Sequence, residues 1–384
     1  MNNFFLVFFL VLFNLLNLRI GICQNTIFAK VINKDNQEPL IGVIITDDQS
    51  KGQTITNENG EFILNVNSFP ASIKVRILGF QSQQFLVESS KFQTISLSEA
   101  ILVLPELKVY ANKGLEILQN AVNKAVSDTS SMTYLKAYYQ KTSSQNGKYT
   151  WLNEMYLNME SGQYGVSRWQ PTNARYAHAI DEFASSNFIF LCLSSTRTLT
   201  HNYNTAFPLN NRNISGRYSY KLLNYVNQGS DEEIAIIECK PKPENNEFFF
   251  TGRILVNTKS SNILKINGKF SDIKSNRKVE IDLNFKESER GFSVFHNLYI
   301  VVKAKIDRKN NIEKAWLIAI QDLPNLNKND KTYPLFGIKD LEIFENTSYN
   351  EKEWERGLPI KYTAEAEKVI KYFGKKKSII GNIK

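Results

Sequence analysis

The side chains best suited to acid–base or nucleophilic chemistry are few and widely spaced in this 384-residue sequence. The three histidines are His178, His201 and His296, and none has a second ligand at a zinc-binding spacing. Adjacent acids occur at 181–182 and 231–233, but neighbours on one helix or strand point apart and make poor acid–base pairs. A nucleophile elbow, a phosphate loop and a dinucleotide fingerprint are absent. We therefore expect a non-catalytic protein with no metal and no cofactor.

The richest mixture of polar and aromatic chemistry lies in residues 163–208, and a ligand cleft is expected there if the protein has one. The candidate cleft residues are Trp169, Arg175, His178 and His201. A cryptic hydrolase is the catalytic alternative, and it requires the two histidines to converge with an acid. The other alternative is an irregular insert packed over a sheet. Apolar residues at helical offsets favour one or two helices within residues 173–199.

Two of the cysteines are expected to be buried rather than reactive. Cys192 and Cys239 both stand in apolar surroundings, which is typical of buried free thiols. In an oxidising compartment they could instead pair, and the sequence leaves this open. Two distant cysteines do not supply enough ligands for a metal site.

The chain opens with a targeting segment. Residues 4–18 are almost wholly apolar but form too short a run for a membrane span. Gly21 and Cys23 place small residues before a cleavage site that precedes Gln24. We expect export, to the periplasm or in association with the outer membrane. An uncleaved N-terminal anchor is the alternative, because no Lys or Arg precedes the run. Lipidation of Cys23 is disfavoured by Ile22, where a small residue is needed.

The net charge of +9, from 47 basic and 38 acidic residues, is spread along the chain except for a lysine run at 375–377. A diffuse excess is typical of a solvated surface and argues against nucleic acid. Attraction to anionic envelope polymers or lipid headgroups is the alternative. No later segment is apolar enough for a transmembrane helix. We expect an envelope protein partner or a glycan or lipid ligand, and the oligomeric state stays open.

Short strands and turns dominate residues 27–80. The predicted strands are 27–32, 39–46, 61–66 and 73–77, followed by strands near 84–87 and 94–97. Asn59-Gly60 before the third strand predicts a hairpin turn, since both residues tolerate positive φ. A calcium loop is the alternative, but Ile55 and Val66 stand where it needs acidic ligands.

Three blocks of this region resemble the carboxypeptidase-regulatory-like domain. They are Pro-Leu-x-Gly-Val at 39–43, Thr-x-x-x-Gly-x-Phe-x-Leu within 56–64, and Ile-x-Val-x-x-x-Gly-Phe within 73–80. Ala29 and Asn57 depart from the Gly and Asp of many members. The resemblance implies a transthyretin-like sandwich of seven strands, common at the N-termini of Bacteroidota envelope proteins. The family name implies no peptidase activity.

A helix, a hairpin and a long meander are predicted downstream. An apolar stripe at helical spacing predicts a helix between Asn112 and Ser127, and Asn146-Gly147 predicts a hairpin. A second helix is predicted over 363–373, with Thr363 at its start. The predicted meander strands are 218–227, 233–239, 248–257, 263–273, 278–286, 292–306 and 312–320.

The fold class is therefore expected to be mainly β with some α. A Greek-key sandwich of about seven strands precedes an α+β domain with a curved antiparallel meander. Residues 251–266 resemble the half-barrel of periplasmic lipoprotein-carrier-like proteins, in which helices cover the concave side. The expected divisions are 1–23 (signal peptide), 24–104 (sandwich), 105–216 (linker, helix, hairpin and irregular or helical insert), 217–322 (meander) and 323–384 (C-terminal helix and basic tail).

Three functions follow as hypotheses. The first is a non-catalytic, exported cell-envelope protein with a binding or scaffolding role, in which an exposed edge strand of the sandwich docks a partner. The second is a periplasmic carrier or sensor of an apolar or glycan ligand held in the second domain. The third is the hydrolase around His178 and His201.

Overall fold

The computed structural model of the chain describes most residues between 25 and 380, and the predicted targeting segment and its cleavage site lie outside them. The described residues are 25–50, 52–100, 112–127, 132–162, 164–178, 187–200, 207–210, 212–227, 229–230, 232–242, 248–272, 274, 276–306, 308–327, 332–333, 338–355, 357–375 and 379–380. None of the described helices has both the length and the apolar composition that crossing a bilayer would require.

The N-terminal domain is a sandwich of two sheets, ordered β4-β1-β7 and β3-β2-β5-β6 along their hydrogen bonds. Alternate residues of each strand point into the gap between the sheets, where they form one apolar core. β1 pairs antiparallel with β4 and parallel with β7. The strands are β1 Asn25–Asn33, β2 Ile44–Asp47, β3 Gln53–Ile55, β4 Glu61–Val66, β5 Ala71–Arg76, β6 Gln83–Val87 and β7 Gln93–Leu97.

The turn at residues 57–60 crosses from one sheet to the other. The Asn57 side chain accepts hydrogen bonds from the backbone N–H of Asn59 at 2.9 Å and of Glu61 at 3.0 Å. Gly60 has φ of +74° and lies so close to β1 that a Cβ would be 2.4 Å from the Val31 carbonyl oxygen. The turn prediction is confirmed, but the hairpin is wrong, because β3 pairs with β2 while β4 pairs with β1.

The rest of the chain builds an eleven-stranded sheet, which is antiparallel at every pairing. Its strands are β8 Thr133–Gln145, β9 Lys148–Gly162, β10 Gly165–His178, β11 Tyr218–Val226, β12 Ile234–Pro241, β13 Phe248–Asn257, β14 Ile263–Asp272, β15 Arg277–Glu287, β16 Ser293–Ile306, β17 Lys309–Leu323 and β18 Ile379–Ile380. The strand order is β11-β12-β13-β14-β15-β16-β17-β8-β9-β10-β18. The hairpin β8–β9 therefore joins the far end of the meander through β17, and the mainly β prediction is confirmed.

Among the described residues, five helices accompany the sheet: α1 Lys113–Ser127, α2 Phe188–Ser195, α3 Asp340–Glu345, α4 Glu351–Trp354 and α5 Ala364–Lys375. The predicted helices at α1 and α5 are confirmed, and the Thr363 hydroxyl caps α5 by accepting from the Ala366 N–H at 3.1 Å. Within the described part of residues 173–199, the helical prediction is confirmed at α2. Residues 173–178 belong to β10, because pairing with β9 outweighs the local helical spacing.

The two faces of the large sheet have different covers. We call inner the face that carries Tyr139, Leu157 and Leu317, which packs against α1, α2 and α3 in one continuous apolar core. We call the opposite face outer, and it carries Tyr138 and Trp316. The sandwich, α4 and the residues just after α4 pack against it. α5 covers the outer face near β9 and β10. Because successive strand residues alternate between faces, β8, β9 and β17 each contribute to the core on both faces.

Both edges of the large sheet are covered. At one edge α1 approaches β11 so closely that a Cβ on Gly114 would lie 2.8 Å from the Leu222 amide nitrogen. At the other edge β18 pairs with β10 at Tyr176 and Ala177. Covered edges protect a sheet from pairing with other chains.

Candidate functional site

A C-terminal strap, residues 357–363, runs between the sandwich and the large sheet and meets the edge strand β3. Ile360 forms a parallel bridge with Ile55, and the Thr54 hydroxyl donates to the Pro359 carbonyl at 3.3 Å. The strap thus begins to extend the sheet of the sandwich as an added strand.

The contact of the strap with the two domains, which we call the junction, also includes side-chain bonds on both sides of the strap. The Asn57 amide donates to the Lys361 carbonyl at 3.2 Å, and the Lys361 ammonium pairs with Glu61 at 2.7 Å. The sandwich also reaches the large sheet directly, because the Trp316 indole donates to Glu58 at 3.3 Å. The strap and the two domains therefore form one continuous interface.

Glu154, on the outer face of β9, fixes the strap to the large sheet. Its carboxylate is fully buried and accepts from the Tyr362 hydroxyl at 2.6 Å and from the Arg175 Nε at 2.8 Å. Tyr138 and Gln140 on β8 donate to the same oxygen as Tyr362. A buried carboxylate is tolerated only when its oxygens are paired in this way.

Arg175 is held from two further directions. Its guanidinium carbon lies 3.9 Å from the Trp354 ring centre, a cation–π distance, and its Nη2 donates to the Tyr362 hydroxyl at 2.8 Å. Burial acts to lower the pKa of Arg175, but Glu154, Tyr362 and Tyr138 together outweigh it, and the pKa is raised. Burial, and then Glu154, raise the pKa of Tyr362 well above its usual value. The phenol of Tyr362 is therefore protonated and available as a donor.

A cleft of about 430 Å³ opens beside this junction, between the strap and the edge of the sandwich. Apolar side chains of both domains line it, among them Phe28, Ile63 and Leu358, and polar groups come from Gln53 and Asn65. A concave, largely apolar site with a few polar groups is the usual form of a binding site. No histidine or cysteine is among the described residues that line it.

The inner face holds a second buried charge cluster. Lys141 on β8 is fully buried, with its ammonium 2.9 Å from Glu313 and 3.7 Å from Asp340. Asp340 also accepts from the backbone N–H groups of Phe188 and Ile189 at the start of α2. Burial raises the pKa of Asp340 to about 6, against the lowering effects of Lys141 and of these N–H groups. The cluster ties α2 and α3 to the sheet.

The structure separates the residues that the sequence grouped as a ligand cleft. Trp169 is buried on the inner face and its ring centre lies 5.4 Å from that of Tyr333. His178 stacks on Trp151 at 4.9 Å, and Arg175 points to the outer face in the Glu154 cluster. His201 lies outside the described residues. Trp169 and Arg175 are thus on opposite faces, and a ligand role for this set stays a prediction.

The remaining histidine and the cysteines are buried. His296 has its pKa lowered to about 4 by burial and then by Lys286 and Arg76. Cys192 and Cys239 are free thiols, and burial raises the pKa of both. Within the described residues, no group of three or more His, Cys, Asp or Glu side chains is placed to hold a metal ion.

The sequence reasoning missed the residues that form the junction. Glu154 lies between Leu152 and Met155 of β9, and Lys141 follows Ala137 and Tyr139 in the alternation of β8. A charged residue at a position expected to be buried is a usable signal of a paired cluster. The partners were not identifiable, because Tyr362 is 208 positions away from Glu154.

The model of the CarboxypepD_reg-like domain family matches residues 28–109, about a fifth of the chain. The match supports the resemblance for the N-terminal domain, and it does not extend to the large sheet. No curated protein matches the chain.

Three solved structures show partial likeness to the chain. A DUF1329 family protein from Desulfovibrio piger has a TM-score of 0.22 at 14% identity, over 54% of this chain and 92% of that one. A LolA superfamily protein from Nitrosomonas europaea has a TM-score of 0.21 at 12% identity, over 55% and 94%. The MucA/MucB complex of Pseudomonas aeruginosa has a TM-score of 0.16 at 7% identity, over 59% and 99%. TM-scores this low support no inference about role.

Replacing Arg175 by Met is expected to lower the free energy of unfolding by about 3–5 kcal/mol, because it leaves the Glu154 carboxylate buried without its cation. Adding Glu154→Gln to that variant should recover part of the loss, since the uncompensated charge is removed. Urea denaturation measures both effects. The control is Lys303→Met on β16, whose ion pair with Glu280 is exposed at both side chains, so its loss should change the free energy of unfolding little. Equal losses at both positions would contradict the assignment.

Asp340 is expected to make stability fall as pH rises. The pKa of Asp340 in the folded state, about 6, exceeds the ordinary 3.8, so the folded state binds the proton more tightly than the unfolded state does. Protonation therefore stabilises the folded state at low pH, and this stabilisation is lost as pH rises through about 6. The unfolding free energy of the wild type relative to Asp340→Asn should therefore decrease from pH 4 to pH 7, by roughly 2 kcal/mol. Glu342→Gln, on the exposed side of α3, is the control. A pH-independent difference between wild type and Asp340→Asn would refute the assignment.

Proposed function

We propose that this chain is a non-catalytic binding protein of the cell envelope and that it binds its ligand in the cleft between the strap and the sandwich. The observation that carries the proposal is the cleft itself, about 430 Å³ in volume and walled by the sandwich on one side and the strap on the other. Its walls are held in place by the Ile55–Ile360 bridge and by the Glu154 cluster. A site that is already formed avoids the cost of ordering its walls on binding.

The chemistry of the walls supports binding rather than catalysis. The charged groups among the lining residues are Lys361, which is paired with Glu61, and Glu367. General acid–base or nucleophilic catalysis needs a group with a neighbour that activates it. Aliphatic, aromatic and amide side chains instead provide apolar area and hydrogen bonds for a neutral ligand.

Export is the second part of the proposal. The apolar residues 4–18 and the small residues before Gln24 support a cleaved signal peptide. The resemblance of residues 28–109 to the CarboxypepD_reg-like domain agrees with a transthyretin-like domain of a Bacteroidota envelope protein. The proposed location is the periplasm, with or without attachment to the outer membrane.

Fractionation of the producing cells tests export. We expect the mature chain in the periplasmic or outer-membrane fraction, with Gln24 as its first residue by N-terminal sequencing. A chain that retains Met1 in the inner membrane would refute cleavage and support an anchor.

A thermal-shift assay tests the binding role. The soluble part of an envelope extract from the same cells, proteins included, should raise the Tm of the purified wild type, which is followed through a covalently attached fluorophore, because a ligand that binds the folded state stabilises it. Gln53→Trp places an indole at the cleft and should abolish the shift. Gln84→Trp, an exposed glutamine on edge strand β6, is the matched control and should keep it. No shift with wild type, or an equal shift with both variants, would refute the cleft as the binding site.

A further inference from the structure

The cleft lies where two edge strands of the sandwich meet, and the strap bridges to one of them, at Ile55 of β3. Among the described strands, β4 pairs with β1 alone and β3 pairs with β2 alone. Gln53 of β3 and Ile63 and Asn65 of β4 all line the cleft. An unpaired strand edge offers a row of backbone donors and acceptors to another extended chain.

The direction of the backbone groups of β4 follows from the turn before it. Both the N–H and the carbonyl of Glu61 bond to Asn57, away from β1. Since these groups alternate in direction along an antiparallel strand, Ile63 and Asn65 direct theirs to the same outer side. Gly52 faces this side, and a Cβ there would be in van der Waals contact with the Asn65 carbonyl oxygen at 3.5 Å, so the lack of a side chain at Gly52 widens the approach to this oxygen.

The strap shows that this edge of the sandwich accepts an extended segment. Ile360 pairs with Ile55 of β3 in parallel, and the pairing goes no further toward the cleft. The next strap residue in that direction is Pro359, which has no N–H to donate. The pairing of the strap with β3 therefore ends at the cleft and leaves room for a second extended segment beside the strap.

We propose that the cleft binds an extended peptide segment of a partner protein, which adds as a strand to β4 at Ile63 and Asn65. This inference rests on the proposed function and specifies the ligand. Backbone hydrogen bonds would supply the affinity, and alternate side chains of the peptide would meet different walls of the cleft.

The walls select the side chains of such a peptide. Phe28 and Ile63 are cross-strand partners. Their side chains share the face of β1 and β4 that is turned away from the core of the sandwich, and Phe28 is 37% exposed. They would hold an apolar side chain. Gln53 and Asn65 would hydrogen-bond a hydroxyl or amide side chain. The Lys361 ammonium is already neutralised by Glu61, and the other charged lining residue, Glu367, is exposed to solvent. The cleft therefore offers no buried unpaired charge, and the matching peptide is neutral and alternates apolar with hydroxyl side chains.

Titration calorimetry with short peptides tests the inference. The probes are four acetylated and amidated five-residue peptides with threonine at positions 1, 3 and 5, and valine, isoleucine, leucine or phenylalanine at positions 2 and 4. Each peptide is compared with one analogue that is methylated on the backbone nitrogens of both residue 3 and residue 4. The methylation keeps the side chains but removes a hydrogen-bond donor from each side of the peptide strand. Cellobiose is the glycan probe of similar size.

At least one unmethylated peptide should bind wild type and Gln84→Trp but not Gln53→Trp. Methylation should weaken its binding about tenfold or more, because it removes a strand hydrogen bond. Hydrogen exchange at the amides of Ile63 and Asn65 should slow in the complex. Equal binding of the methylated analogue, or unchanged exchange at these amides, would overturn strand addition.

Binding of cellobiose without any peptide would overturn the peptide as ligand and leave the proposed function intact. Binding of no probe would also overturn the peptide inference. The thermal shift with the envelope extract separately decides whether the cleft binds at all, so the two proposals can fail independently.

Discussion

Burying the Glu154 carboxylate in the outer face of the large sheet is costly unless each oxygen finds a donor. β9 alone cannot supply these donors, because its own backbone groups are used in the ladders with β8 and β10. They come from Tyr138 on β8, Arg175 on β10 and Tyr362 on the strap. The requirement to satisfy one carboxylate thus draws together two neighbouring strands and a segment near the C-terminus.

The position of the strap follows from this requirement. With Tyr362 fixed on the large sheet, the preceding residues lie along the sandwich, where Ile360 bridges to Ile55 and Lys361 pairs with Glu61. The strap therefore orients the sandwich against the sheet and forms one wall of the cleft. The charge cluster around Lys141 has a comparable role on the inner face, where it fixes α2 and α3 over the core.

Local sequence patterns predicted the elements well because they report local physics. Alternation located the strands of the meander, and Asn146-Gly147 has positive φ at both residues, as its hairpin requires. The prediction was wrong where pairing outweighs local preference, as at residues 173–178, which join β10. The residues around the cleft were not predictable in the same way. Phe28, Gln53 and Leu358 are ordinary surface residue types, and they become a site only because their elements meet.

The sequence by itself determined most strands of the meander, the helices α1 and α5, the turn at Gly60 and the resemblance of the N-terminal domain to its family. Each of these depends on residues within a few positions of one another, through backbone φ, side-chain alternation and capping. The tertiary structure alone decided that Glu154 meets Tyr362, that Trp169 and Arg175 lie on opposite faces, and that the strap closes a cleft against the sandwich. The period of a strand states which side chains share a face, but it does not state which distant element will cover that face.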